Sequence, residues 1–252
     1  MSTTQARRRV AIMGVGRIGS AFAFQLAQAG HDVTVIARPD SRRLTQLSRD
    51  RGIVLTSGEH AEVTVAGRLD EDAPYDLVIV ALLAHQIDSL LPALKRSQAG
   101  CVHLMFVTPE ADRLRSAIGA DRVTFGLGAL LATLDDEGRL GLTIPKTRAP
   151  QGDQRWVDLF QEAGMPAKLE KDMGRWLRYQ TPLTIAMESV ALTGMQHRRG
   201  ATWAEAKTGA QDLRAGFSIF RQAVRRPSPP SARCKRCALS RPISPPPDHF
   251  LD

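Results

Sequence analysis

Cysteine is scarce. Three in 252 residues cannot build the paired framework of a secreted, disulfide-stapled domain, so a reducing, cytoplasmic setting is expected. Long apolar runs are missing as well. No uncharged apolar run, Val123–Leu134 with its 12 residues included, approaches the ~18 that span a bilayer, and no membrane role is expected. The amino-terminal MSTTQARRRV is basic but runs into glycines rather than into an apolar signal segment. Acidic residues are outnumbered by basic ones, 26 to 34, yet the excess is not on the body of the chain. Residues 1–10 carry +3 and residues 225–252 carry +4 of the total +8, leaving +1 for everything between. A nucleic-acid binder shows a basic face on its folded part, so nucleic acid is not an expected partner. Neither Ser/His/Asp nucleophile spacing nor a G-x-S-x-G elbow is present, and no metal site is expected. At 43% apolar and 24% charged residues the chain can still bury a sizeable core.

What is present is an alternation. RRVAIMG at 8–14 is a short apolar run before glycines, and RIGSAFAFQLAQA at 17–29 has apolar residues at helical spacing, ended by Gly30. HDVTVIAR at 31–38 predicts a second strand, and Ser41 caps a helix over 41–50. GIVLT at 52–56 and EVTVAG at 62–67 are β-rich. The continuous apolar run DLVIVALLA at 76–84 is expected of a parallel strand buried on both faces. A helix through 86–96, a strand at 101–107, a helix over EADRLRSAIG and a strand at 122–126 continue the pattern. GRLGLTI at 138–144 is expected as an antiparallel strand near an edge. From about 152 onward helical spacing dominates, with helices before Gly164, from 173 through the 190s, and over 202–224. The fold class expected is α/β: a Rossmann-type, doubly wound, mostly parallel sheet followed by a partial all-helical second domain. The divisions expected are 1–170, 171–224 and a disordered Pro/Arg-rich tail at 225–252, which holds 7 of the 15 prolines.

Gly14-Val15-Gly16-Arg17-Ile18-Gly19 is G-x-G-x-x-G between a strand and a helix, the context in which the pattern binds dinucleotides. The first glycine allows the tight turn, the second lets backbone approach a pyrophosphate, and the third lets helix pack on strand. The helix N-terminus supplies N–H groups and a dipole that favour an anion. Cofactor choice turns on the end of the second strand, where NAD sites usually place an acid. Arg38 stands nineteen residues after Gly19; a guanidinium there pairs with a 2′-phosphate, so NADP is expected. The alternative is a solvated Arg38 with Asp40 taking the ribose.

GVGRIGSAFAFQLAQAGHDVTVIARPD, DLVIVALLAHQ and RWLRYQTPLTIA together resemble the ketopantoate reductase (2-dehydropantoate 2-reductase) family over about residues 8–220. The resemblance implies NADPH-dependent reduction of a 2-keto acid in pantothenate synthesis, at a site between a Rossmann domain and a helical domain. It places Leu83 where the family has a lysine, keeps Gln86, and adds both to the cofactor site. It places Val107 and, in the later helix, Pro182 and Ala186 at family asparagines, and Arg178 at the lysine that serves as general acid. Arginine is a poor proton donor but can hold a carboxylate bidentately or polarise a carbonyl, so Arg178 is the candidate catalytic residue, with an ordinary surface arginine as the alternative. Gln180, Thr181, Thr184 and Glu188 are candidates for the same cleft. The partners implied are a keto acid or related carbonyl and, at most, a second copy of the chain in a homodimer. A second reading follows from the same replacements: an inactive, NADP-binding sensor or oligomer partner derived from such a reductase.

Smaller signals have plainer explanations. His85 and His103 fall at or near strand ends and are expected to face the cofactor cleft, a packing role being the ordinary case for each. Trp156, Trp176 and Trp203 are expected in the core. The C-x-x-C at Cys234 and Cys237 lacks a zinc ligand set and is read as chance. The change of composition after Ala223 suggests an out-of-frame tail.

Overall fold

The computed structural model describes residues 6–197 and 202–225; the tail from 226, with its C-x-x-C and all but the first residues of the suggested out-of-frame stretch, lies outside the described residues. Strand β1 (Arg9–Met13) leads through the glycine loop to helix α1 (Arg17–Gln28), followed by β2 (Asp32–Ile36) and α2 (Arg42–Asp50). Three short strands come next, β3 (Gly52–Val54), β4 (His60–Glu62) and β5 (Thr64–Ala66). Then follow β6 (Leu77–Val80), α3 (Leu91–Arg96), β7 (Val102–Leu104), α4 (Ala111–Ile118) and β8 (Val123–Phe125). The remainder comprises β9 (Leu131–Leu134), β10 (Leu140–Thr143), β11 (Ala149–Gln151), α5 (Gln154–Glu162), β12 (Ala167–Leu169), α6 (Met173–Gln196) and α7 (Trp203–Arg225).

Six strands form one parallel sheet in the order β5-β2-β1-β6-β7-β8. The order reverses between β1 and β6, which opens a crevice outside the carboxyl ends of the strands, the place where such sheets bind ligands. Every residue of β6 is fully buried, as its unbroken LVIV run demands. One face of the sheet packs Phe22, Leu26, Trp156 and Phe160 of α1 and α5. The other packs Leu94, Leu114, Ile118, Met173 and Leu177 of α3, α4 and the start of α6. Gly30, at φ 87°, ends α1 in the left-handed region, and the Ser41 hydroxyl accepts from Leu44 N–H to begin α2.

Several elements depart from the sequence pattern. The helix expected from 86 begins only at Leu91, after two 3-10 turns, because the Pro92 ring would collide with the carbonyl of residue 88 if the helix started earlier. EVTVAG divides at Val63: β4 pairs antiparallel with β3, while β5 joins the edge of the main sheet. The strand expected near a sheet edge at 138–144 is instead β10 of a separate hairpin with β9, lying on α1 through Leu140, Ala132 and Leu142. Trp156 is in the core and Trp176 packs partly against it, but Trp203, expected to be buried, is 85% exposed at the start of α7.

Helices α6 and α7 lie antiparallel. A Cβ at Gly209 would come within 2.6 Å of Val190, and one at Gly216 within 2.8 Å of Pro182, so two glycines set the close approach of the pair. Pro182 sits inside α6 and leaves the Arg178 carbonyl without its helical donor.

Candidate functional site

The glycine loop occupies the switch point. Gly14 has φ 91°, and a Cβ there would lie 2.6 Å from Ala81 O and 2.5 Å from the Leu82 side chain. Gly19 packs its α-carbon on the Gly14 carbonyl, where a Cβ would overlap the oxygen. At Gly16 no atom lies within 4 Å of where a Cβ would be, so this part of the loop is open. Gly16 is also the N-cap of α1, without a side-chain capping bond and with no acidic residue in the first turn. The loop therefore presents uncapped N–H groups at the positive end of a helix, an arrangement suited to a phosphate. Arg17 is exposed beside it, Ile18 is half-buried, and the Val15 side chain points into the core.

Arg38 leaves the end of β2 exposed, and its guanidinium makes no hydrogen bond or ion pair among the described residues. Its carbonyl accepts from the Ser41 hydroxyl at 2.7 Å, which ties this corner to the start of α2. Asp40 adjoins it at φ 57° and is exposed. Leu83, past the end of β6, is 63% exposed, and its N–H donates to Gln86 Oε1 at 3.2 Å. Gln86 is thus engaged in holding its own 3-10 turn.

Arg178 is half-buried in the second turn of α6. Its guanidinium turns back to Gly174, where a Cβ would lie 4.0 Å from Arg178 Nη1, 3.8 Å from Arg115 Nη1 and 3.9 Å from Asp172 Oδ1, so two guanidinium groups and one carboxylate arrive at one place. Arg115 also lies over the Phe125 ring at 5.0 Å, at the end of edge strand β8. Arg178 makes no ion pair among the described residues. Thr181 is buried and spends its hydroxyl on the Leu177 carbonyl at 2.8 Å, and Glu188 is exposed. Pro182 and Ala186 are both buried, Pro182 against Gly216 of α7.

His85 is exposed. His103 does not face the cleft: it lies inside β7, fully buried, with its ring against Phe160 at 5.7 Å. Its Nδ1 lies 2.8 Å from Thr124 Oγ1 and its Nε2 2.9 Å from Gln151 Oε1, while Gln151 Nε2 donates to the Leu127 carbonyl at 2.8 Å. The amide orientation assigns the Nε2 proton to His103, and Nδ1 then accepts from Thr124. Burial pushes the His103 pKa down to about 4. No sequence signal marks this hydrogen-bonded relay, because Thr124 and Gln151 are distant from His103 along the polymer.

Arg43 is the other residue that sequence reasoning overlooked. It lies half-buried between α1, α2 and the β9–β10 turn, donating from Nε to Val15 O at 3.0 Å, from Nη2 to Ser20 Oγ at 2.6 Å and from Nη1 to Gly138 O at 2.8 Å. Nothing in its helical spacing distinguishes it from its neighbour Arg42.

A cavity of about 580 Å³ lies at the opposite end of the strands, beside Arg8, Asp76, Arg155 and Trp156. Its arginines are already paired, Arg8 with Asp76 and Arg155 with Asp153. Among the described residues no three His, Cys, Asp or Glu side chains cluster as a metal site, and no helix is long and apolar enough to cross a membrane.

The family model described as ketopantoate reductase PanE/ApbA matches residues 10–147, more than half of the chain. No curated protein matches by sequence. Among solved structures, a PanE/ApbA family ketopantoate reductase from Ralstonia eutropha JMP134 superposes with a TM-score of 0.70 at 21% identity, covering 86% of this chain and 75% of that one. A dimeric ketopantoate reductase from Staphylococcus aureus gives 0.64 at 18% identity over 85% and 73% of the two chains. D-Mandelate dehydrogenase with NADH and anilino(oxo)acetate gives 0.66 at 16% identity over 86% and 74%. At such identities the structural likeness is one of fold.

Proposed function

The chain belongs to the PanE/ApbA ketopantoate reductase family, and on that premise we propose that it is an NADPH-dependent reductase of a 2-keto acid, of the 2-dehydropantoate-to-pantoate type. The observation that carries the reading is the glycine loop, with Gly16 open to solvent and the first turn of α1 uncapped and free of acid. A nicotinamide dinucleotide supplies a hydride when bound. Gly14, Gly16 and Gly19 shape its phosphate site, with Val15, Arg17 and Ile18 contributing backbone. Arg38 takes a 2′-phosphate, and Leu83 and Gln86 border the cofactor beyond β6. We assign the nucleotide-binding part to residues 1–170 and a helical substrate or dimer part to 171–224.

Arg178 holds the substrate carboxylate in this reading, with the Arg115 guanidinium and the Asp172 carboxylate arriving at the same place. A guanidinium stays charged throughout and donates two parallel hydrogen bonds, which fixes the keto group's orientation and polarises it. It does not release a proton, so water or another group supplies the proton to the developing alkoxide. Arg178→Ala is expected to abolish keto-acid turnover while the Kd for NADPH stays within about twofold, because the change removes a substrate contact alone. Unaltered turnover would make Arg178 structural.

Arg38→Glu tests the cofactor choice. NADPH affinity should fall by roughly two orders of magnitude, since a charge-assisted pair becomes a repulsion, and NADH affinity should hardly move. Equal losses for both would remove Arg38 from the 2′-phosphate site and favour Asp40 at the ribose.

A second reading has its own support: a binder of NADP without turnover. Leu83 is an exposed leucine where the family carries a lysine, and Pro182 is spent in the contact with α7. Titration with NADPH and NADH, followed by keto-acid turnover assays, separates the two readings. Absence of binding from a folded, monodisperse sample would overturn both.

A further inference from the structure

Val15 O and Gly16 N–H belong to one peptide unit, and in a trans peptide they point in opposite directions. Arg43 Nε donates to that carbonyl from the inner side at 3.0 Å. The Gly16 N–H therefore points away from Arg43, and Gly16 itself is exposed, with nothing within 4 Å of where a Cβ would be. The guanidinium is itself held firmly. Its Nη2 donates to Ser20 Oγ at 2.6 Å, and Ser20 in turn donates to the same Val15 carbonyl at 3.3 Å. Its Nη1 donates to Gly138 O at 2.8 Å and to Gln46. Gly138, at φ 81°, is needed for that approach, because a Cβ there would lie 3.0 Å from Arg43 Nη1 and 2.7 Å from Gln46 Oε1.

The charge is not neutralised where it sits. Among the described residues no carboxylate reaches ion-pair distance of Arg43. Asp50 is one side chain removed, accepting from Gln46 at 2.6 Å and pairing with Arg49. A cation that donates to a carbonyl polarises the amide and makes its N–H a stronger donor. An uncompensated, half-buried charge also adds positive potential to the loop above it.

We infer that Arg43 is a positioning residue for the dinucleotide's pyrophosphate, acting through the Val15–Gly16 peptide and by its charge; this rests on the loop's being a dinucleotide site. The pyrophosphate is common to NADH and NADPH, so Arg43 governs affinity for both and discriminates between neither. That separates its role from the one given to Arg38.

The test compares Arg43→Gln, which keeps a hydrogen-bond donor without charge, with Arg43→Lys, which keeps the charge without the fork. Kd for NADPH and for NADH is measured at several salt concentrations, with a thermal melt confirming that each variant is folded. Arg43→Gln should lose on the order of tenfold for both dinucleotides and show a flatter salt dependence, while Arg43→Lys stays within about threefold of wild type. A folded Arg43→Gln that binds like wild type, or that loses no more than Arg43→Lys, overturns the inference. Should Arg43→Gln fail to fold, Arg43→Lys decides. Near-wild-type affinity with an unchanged salt dependence supports the role of charge, and a tenfold loss overturns it. A wild-type protein that binds neither dinucleotide sinks the reading of the loop itself, a result distinct from any of these.

Discussion

Gly14→Ala is expected to weaken dinucleotide binding at least a hundredfold and to cost the fold about 2–4 kcal/mol. Two effects act together. At φ 91° the backbone occupies a region that L side chains rarely adopt, which alone costs about 1–3 kcal/mol. The added methyl would also lie 2.6 Å from the Ala81 carbonyl oxygen, a backbone atom with little freedom to retreat. Ala81 N–H donates to Met13 O at 2.8 Å, so the ends of β1 and β6 are fixed to each other where the clash falls. Relief requires moving the loop away from β6. That movement carries Gly16 and the first turn of α1 with it and disturbs the N–H groups that make the phosphate site. Urea unfolding and a titration with NADPH check the two halves of the expectation separately. Binding within threefold of wild type would show that the loop does not form the dinucleotide site.

The parts of this molecule that sequence exposes most readily are those governed by local physics. Strands β1 and β6 follow from unbroken apolar runs, α1 from its spacing, its end from Gly30, and the start of α2 from Ser41. The family resemblance carried in the glycine motif agrees with the family model over residues 10–147, and the parallel sheet agrees with the alternation of strand and helix. What stayed hidden depends on the path of the chain in space. The β9–β10 hairpin is a case: its place on α1 follows from Leu140 and Leu142 meeting an apolar helix face, which no local period specifies. Arg43 is another, because its value lies in reaching Val15, 28 residues earlier, and Gly138, 95 residues later. Trp203 failed in the opposite sense. Its size suggested burial, but it stands at the first turn of α7, beyond the glycine-mediated contact with α6 that covers the later turns.

Acidification from about pH 6.5 to about 4 is expected to remove about 3 kcal/mol of stability through His103 alone. The folded state holds this imidazole neutral because burial disfavours its charged form, pushing the pKa from 6.5 down to about 4. Gln151 supplies one acceptor for the neutral ring, and no carboxylate lies within ion-pair distance of it among the described residues. An unfolded chain takes up the proton near pH 6.5, so the contribution is complete above that pH and falls away as the pH drops toward 4. Below about 4 both states carry the proton and the loss levels off. His31, also lowered by burial, adds a change of the same sign, so wild type must be compared with His103→Gln. Urea unfolding across this range should show a slope about one proton shallower in the variant, together with lower stability near pH 7.5, where the loss of the ring leaves Thr124 and Gln151 badly paired. Identical slopes would mean that His103 is neutral at no cost, or charged in the fold. The position of the chain gives the expectation a consequence beyond stability. Gln151 passes the bond on to the Leu127 carbonyl, and the next residue, Gly128, lies against Phe22 and Ile18 at the start of α1, where a Cβ would come within 3.3 Å of Ile18. An added proton falls on Nδ1, where the Thr124 hydroxyl can turn to accept it, and leaves the Nε2–H bond to Gln151 in place. The Leu127–Gly128 segment is therefore held, and dinucleotide affinity of the folded protein should stay level between pH 6.5 and about 4 while stability falls.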